Sequence, residues 1–310
     1  MNIRRWFGTK TKTQEGNGLS ASVEELMAVR RYAAYVQGLK RKYSYGSGDI
    51  RSAFKGRGME LEEIRSYNFG DDVRDIDWRV TARKDSPYTK IFNEEKDHEI
   101  WVWLDLSAPM LFGSKKELKS VTAAKIAALL GWLALENKDR FGAVIFDGRN
   151  SWLFKPQNNR SQLLAILKKI SLVSEDILKN PHFEDSALLK SLKMLEQSAK
   201  NKATAFIVSG FDAAGGQEQR QLAGLAKKIR LFLVSVFDIL EEKAPQSGEY
   251  MAEYAGKRLV FDSSNRSFKN AYQSYFAAKK DRLRDFCRRF GGKLIEFRTD
   301  WSFADKLKII

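Results

Sequence analysis

Cysteine is almost missing from this chain: Cys287 is the only one among 310 residues. A lone thiol excludes an internal disulfide and suits a reducing cytoplasm. Its setting, "LRDFCRRF", reads as helix and makes it a small buried hydrophobe rather than a nucleophile. Histidine is scarce as well. His98 and His182 have neither metal-ligand spacing nor a nearby Ser or Cys partner, so structural roles are expected for both. No run of about 18 uncharged apolar residues occurs, which leaves no transmembrane helix to expect. The opening "MNIRRWFG" lacks the apolar stretch of a signal peptide. The glycine-rich "YSYGSGDIRSAFKGRGME" lacks the G-x-x-x-x-G-K-[ST] pattern and reads as loop, not as a phosphate cradle.

What is present favours a folded protein with a large core. Apolar residues make up 43% and aromatics 12% of the chain, enough for one large domain or two modest ones. The net charge is +15. The basic excess lies in the N-terminal arm, in "RRYAAYVQGLKRKY" and in "AAKKDRLRDFCRRFGGK", which read mainly as solvated faces. Solubility and partner steering account for such charge. Specific nucleic-acid recognition is disfavoured, while peripheral contact with an anionic membrane stays open as a further reading.

Residues 1–18 form a polar, basic arm expected to be flexible. "SASVEELMAVRRYAAYVQGLK" begins with a Ser cap and repeats Leu26, Val29, Ala33, Val36 and Leu39 at helical spacing. With the charged segment after it, this helix is grouped as residues 19–98. From Glu99 the pattern changes to apolar strands alternating with helices: "EIWVWLDL", "RFGAVIF", "ATAFIVS", "RLFLVSVF" and "GKLIEFR" are strands. "SVTAAKIAALLGWLALE" is a helix apolar nearly all round, and "SWLFK" is the return arm of a hairpin. The pattern predicts an α/β domain over 99–310, doubly wound, with a mainly parallel sheet and helices on both faces. In such sheets function gathers beyond the carboxyl ends of the strands. That draws attention to "DLSAPM", "EDSALL" and "SGFDAAGG".

Asp105 and Ser107 leave the first of these strands together, an arrangement able to face a small hard cation such as Mg²⁺. A complete site of that design uses D-x-S-x-S, a hydroxyl from a second loop and an aspartate from a third. Here Pro109 replaces the second serine, Ser186 is the available hydroxyl, and Ser209-Gly210 precedes Asp212, which arrives two residues late. The competing reading is that Asp105 and Ser107 simply cap neighbouring amides.

The densest charge lies in "NFGDDVRDIDWRVTARKDSPYTKIFNEE", residues 68–95. A Ca²⁺ loop is excluded by the missing glycine at its sixth position. Interleaved acids and arginines predict bidentate pairs that make a clasp or a docking surface. Trp78 is either a core anchor or an interface anchor. Were Arg74 buried in such a network, its removal would cost about 3–5 kcal/mol.

This segment resembles domain-of-unknown-function family 58. The matching residues are Arg65, Tyr67, Gly70, Asp71, Asp72, Arg74, Ile76, Asp77, Trp78, Ala82, Arg83, Lys90, Phe92 and Glu95. The likeness continues through "DLSAPM" and covers roughly residues 45 to 300. It implies a von Willebrand factor A-like domain preceded by a signature segment. Such proteins are commonly encoded beside MoxR-type AAA+ ATPases and thought to act with them in chaperone-like maturation or assembly of client proteins. The family's ion site is kept at Asp105 and Ser107 and altered at Pro109 and Gly210. The resulting expectation is a non-enzymatic cytoplasmic adaptor for a MoxR-type ATPase and a client, with contact at the inner membrane open. Its signature surface would comprise Arg65, Tyr67, Gly70, Asp71, Asp72, Arg74, Asp77, Trp78 and Arg83. The alternative is a Mg²⁺-dependent protein-binding module using Asp105, Ser107, Ser186 and Asp212. A basic nucleic-acid or membrane binder is third.

Overall fold

A computed structural model describes residues 17–33, 59–84, 86–94, 98–212, 216–254 and 257–302. Helix α1, Val23–Ala28, starts at a capping box in which Ser22 and Glu25 satisfy each other's backbone amides. A hairpin follows, with β1, Met59–Ser66, antiparallel to β2, Tyr88–Glu94; between them lies the short helix α2, Trp78–Lys84. The sheet domain opens with β3, Glu99–Asp105, then α3, Lys119–Glu136, β4, Arg140–Phe146, β5, Ser151–Gln157, α4, Arg160–Lys179, and α5, Asp185–Ser198. It continues with β6, Thr204–Ser209, α6, Gly216–Lys228, β7, Arg230–Phe237, and α7, Ile239–Glu242. The hairpin β8, Glu249–Tyr254, and β9, Lys257–Asp262, precedes α8, Arg266–Phe290, and β10, Lys293–Arg298.

Six strands form one sheet in the order β10-β7-β6-β3-β4-β5. All pairings are parallel except β4 with β5. β5 is the edge strand, which is why Pro156 is tolerated there. Period-two alternation divides the sheet's side chains between two cores. Ile100, Val102 and Leu104 face α3 and α4, while Trp101 and Trp103 face the side of α5 and α6. Helix α3 is buried all round apart from Lys125, Leu135 and Glu136, as its apolar sequence requires. The doubly wound, mainly parallel fold expected from the sequence is the fold observed.

Two expectations change. Leu26, Val29 and Ala33 are buried in the first core, and the Trp132 indole donates to the Leu26 carbonyl at 3.2 Å. The boundary drawn at 98/99 therefore does not separate this helix from the sheet domain, because its apolar stripe is buried in the first core. Val36 and Leu39 lie outside the described residues, as do residues 1–16 of the expected basic arm. Residues 17 and 18 are tied down instead. Leu118 N–H donates to the Gly18 carbonyl at 2.9 Å. Gly18 has φ +70°, where a Cβ would stand 2.4 Å from the Lys116 carbonyl oxygen.

Candidate functional site

The chain runs outward from β3 in both directions, through β4 and β5 on one side and β6, β7 and β10 on the other. The carboxyl ends of β3 and β6 therefore flank the point where the winding reverses, and a crevice opens there. Asp105 ends β3 and Ser209 ends β6. Both are buried, and the Ser209 hydroxyl donates to Asp105 Oδ2 at 2.7 Å. Asp105 Oδ1 accepts from the Ser107 amide at 3.0 Å and the Ser107 hydroxyl at 2.5 Å. Burial pushes the Asp105 carboxyl above its usual range despite these donors.

The next loop turns sharply. Phe211 adopts φ +54°, a left-handed conformation uncommon outside glycine, and its amide donates to Ser209 Oγ at 3.0 Å. Gly210 leaves room for two side-chain ends. A Cβ there would lie 2.4 Å from Asp212 Oδ2 and 3.0 Å from Lys119 Nζ. The Asp212 carboxylate thus fills the space beside Gly210, and two ammonium groups hold it. Lys119 Nζ donates to Oδ2 at 2.7 Å, and Lys279 Nζ donates to Oδ1 at 2.5 Å. Lys119 also donates to Glu241 Oε1 at 2.7 Å. Burial alone would lower the Lys119 pKa, but Asp212 and Glu241 more than offset it, so the ammonium is held above its usual value. Burial would raise the Asp212 pKa, and the two lysine charges instead hold it down.

Glu218, in the first turn of α6, completes the group. It is 6% exposed, and its buried Oε2 has no hydrogen-bond partner. Burial, then the charges of Asp105 and Asp212, push its pKa up to about 7. A narrow cleft joins Glu218 to Asp105, Pro109, Ser209, Phe211 and Asp212, with room for about one water-sized group.

Of the four residues expected to surround Mg²⁺, Asp105 and Ser107 come together, and Asp212 stands near them with its carboxylate engaged by lysines. Ser186 is exposed on the first turn of α5 and does not line the cleft. Among the described residues no three acidic, His or Cys side chains are grouped to hold a metal. The set does not fit a divalent-cation shell. Ser209, Glu218, Lys119 and Lys279 were absent from the sequence-derived set. The lysines resemble the many other lysines of the chain, and their meeting depends on strand order.

The signature segment builds its clasp from short-range pairs. Arg74 grips Asp72 in a bidentate pair, with Nε at 3.0 and 3.1 Å and Nη2 at 2.6 Å. Arg65 Nη2 donates to Asp71 Oδ1 at 3.0 Å, in a turn where Gly70 takes φ +108° and Tyr67 is half-buried. Asp77 caps α2 through the Arg79 and Val80 amides and faces Lys90 Nζ at 3.3 Å. Arg83 is exposed in the last turn of α2. Arg74 is exposed too, so the expected buried network is corrected: its ion pairs lie at the surface, where such pairs contribute little stability. Trp78, at 69% exposure, is not a core anchor. Phe69 and Val73 beside it are also exposed.

The histidines are occupied locally: His98 Nε2 lies 3.0 Å from Thr204 Oγ1, and His182 Nδ1 lies 2.6 Å from the Asn180 carbonyl. Cys287 is buried in the second core, and burial pushes its thiol up to about 11.

The family model described as protein of unknown function DUF58 matches residues 63–282. The chain belongs to that family. Uncharacterized proteins of Mycobacterium tuberculosis and Mycobacterium bovis are each 26% identical to this DUF58 chain over 265 residues, 85% of it and 82% of the relative. Among solved structures, BatB from Bacteroides thetaiotaomicron covers 68% of the DUF58 chain and 95% of its own, at 14% identity and TM-score 0.40. An aerotolerance-related membrane protein from Bacteroides fragilis covers 69% and 96%, at 13% identity and TM-score 0.42. The SpRpn10 VWA domain covers 68% and 93%, at 9% identity and TM-score 0.38. Among the described residues no helix of the DUF58 chain is long and apolar enough to cross a membrane.

Proposed function

We propose that this DUF58 protein is a non-enzymatic adaptor that docks a MoxR-type AAA+ ATPase through its signature segment, in chaperone-like maturation or assembly of a client protein. The observation that carries this is the exposure of Phe69, Val73 and Trp78 on a segment where Asp71 pairs with Arg65 and Asp72 with Arg74. No side chain described between residues 59 and 94 belongs to either core of the sheet domain. Exposed large apolar groups framed by charge mark interaction surfaces, and tryptophan is the residue most enriched among their anchors. The single buried thiol suits work in the cytoplasm, including at the inner face of the membrane.

The test is capture of partners from cells of the source, comparing wild type with a Phe69→Ala/Trp78→Ala variant checked for folding. Because both side chains are exposed, the variant's melting temperature should match wild type while capture of the ATPase is lost. Undiminished capture would reject this surface, and absence of any AAA+ ATPase from the wild-type sample would reject the partner.

A further inference from the structure

We infer that Lys119 and Lys279 replace the divalent cation at the strand-end crevice, so that the site carries its positive charge covalently and works without metal. Two ammonium groups supply the same +2 that one Mg²⁺ would bring. They are placed accordingly. Asp212, the third-loop carboxylate, gives one oxygen to each ammonium, at 2.7 and 2.5 Å. Its carboxylate occupies the space where a side chain at position 210 would project, so a larger residue there would displace it.

Lys119 is 1% exposed and Lys279 is 6% exposed. Ammonium groups this buried are tolerated only when carboxylates face them closely. The series Glu241, Lys119, Asp212, Lys279 alternates in sign from α7 through α3 and the β6 loop to α8. A divalent ion entering beside Asp105 would meet both ammonium charges in a poorly hydrated place. It would also lack side-chain oxygens from Pro109, which has none, and from Ser186, which lies outside the cleft.

The experiment uses the whole chain, without partner, in thermal melts with Mg²⁺, with Mn²⁺ and after chelator. Wild type should melt at one temperature in all three. A Lys119→Met/Lys279→Met variant frees Asp212 beside Asp105, Ser209 and Glu218, and should gain a rise of about 2 °C or more with either ion. Adding Asp105→Asn to that variant should remove the gain. Lys119→Arg, which keeps the charge, should stay as indifferent to metal as wild type. Wild type stabilised by either ion would overturn the inference, and so would a folded double-lysine variant that ignores both. Should that variant not fold, titration of Mn²⁺ into wild type decides: saturable binding overturns the inference and none sustains it. These melts contain no ATPase, so their failure and the failure of the adaptor reading are separate results.

Discussion

Glu218 is the residue whose chemistry is most altered by its position. Its pKa rises from 4.5 to about 7 in the fold, first through burial and then through the neighbouring carboxylates. Between those values the folded state holds a proton that the unfolded state releases, so this residue's contribution is full below about pH 4.5 and lost as pH rises through about 7. The shift corresponds to on the order of 3 kcal/mol. Glu218→Gln keeps the shape and removes the charge, so it should raise the melting temperature clearly at pH 8 and hardly at pH 5. Equal shifts at both values would mean that Glu218 is not titrating as described. The Arg74–Asp72 pair is the contrasting case: both partners are exposed, and Asp72 is lowered to about 2 by the Arg74 hydrogen bonds.

At the scale of elements, the N-terminal helix shows how an amphipathic stripe finds its partner. Leu26 is fully buried against α3 and α4, and the Ala21 amide donates to Ser174 Oγ of α4 at 3.0 Å. Leu26→Ala should therefore cost about 2–5 kcal/mol, read by urea unfolding of the whole chain. A loss well under about 1 kcal/mol would mean the helix is not integral to the sheet domain. The β1–β2 hairpin behaves differently. Among the described residues it pairs only with itself in a two-stranded sheet, and Ile76 bridges to Thr89 to close the turn region onto β2. Phe69 lies in the turn where Asp71 accepts from the Asn68 amide and Arg65, and Trp78 opens the helix that Asp77 caps.

For the whole molecule, the +15 charge raises the question of nucleic acid. Binding that neutralises 6–10 phosphates loses about 10³–10⁵ in affinity between 50 and 200 mM salt. Any duplex DNA bound at low salt should follow that course and be gone at 200 mM, while capture of a protein partner through Phe69 and Trp78 should persist. Fluorescence anisotropy with labelled duplex across that range checks it. A specific complex surviving at 200 mM would restore nucleic acid as a partner.

The amino-acid sequence by itself determined the fold class and the element types of the sheet domain, though not the β1–β2 hairpin, whose first strand begins inside the stretch read as loop. "ATAFIVS" and "RLFLVSVF" are continuous apolar strands because both faces of the sheet are covered, and helix α3 is apolar all round for the same reason. It also marked residues 68–95 as a charge-paired segment and placed Asp105 at a strand end. Helix α4 keeps its inward stripe almost to its end at Lys179, with Val173, Ser174 and Ile177 buried. Only the tertiary structure decided which strands are neighbours, and with that the site. Periodicity reports which face a residue takes, not which strand lies beside it, so the approach of Ser209 to Asp105 across 104 residues carries no local signal. Lys119 and Lys279 lie 93 and 67 residues from Asp212, and Lys279 stands in a basic stretch that reads as solvated. Their burial follows from the winding of α3 and α8 onto opposite faces of one sheet, whose strand ends bring the two ammonium groups to a single carboxylate.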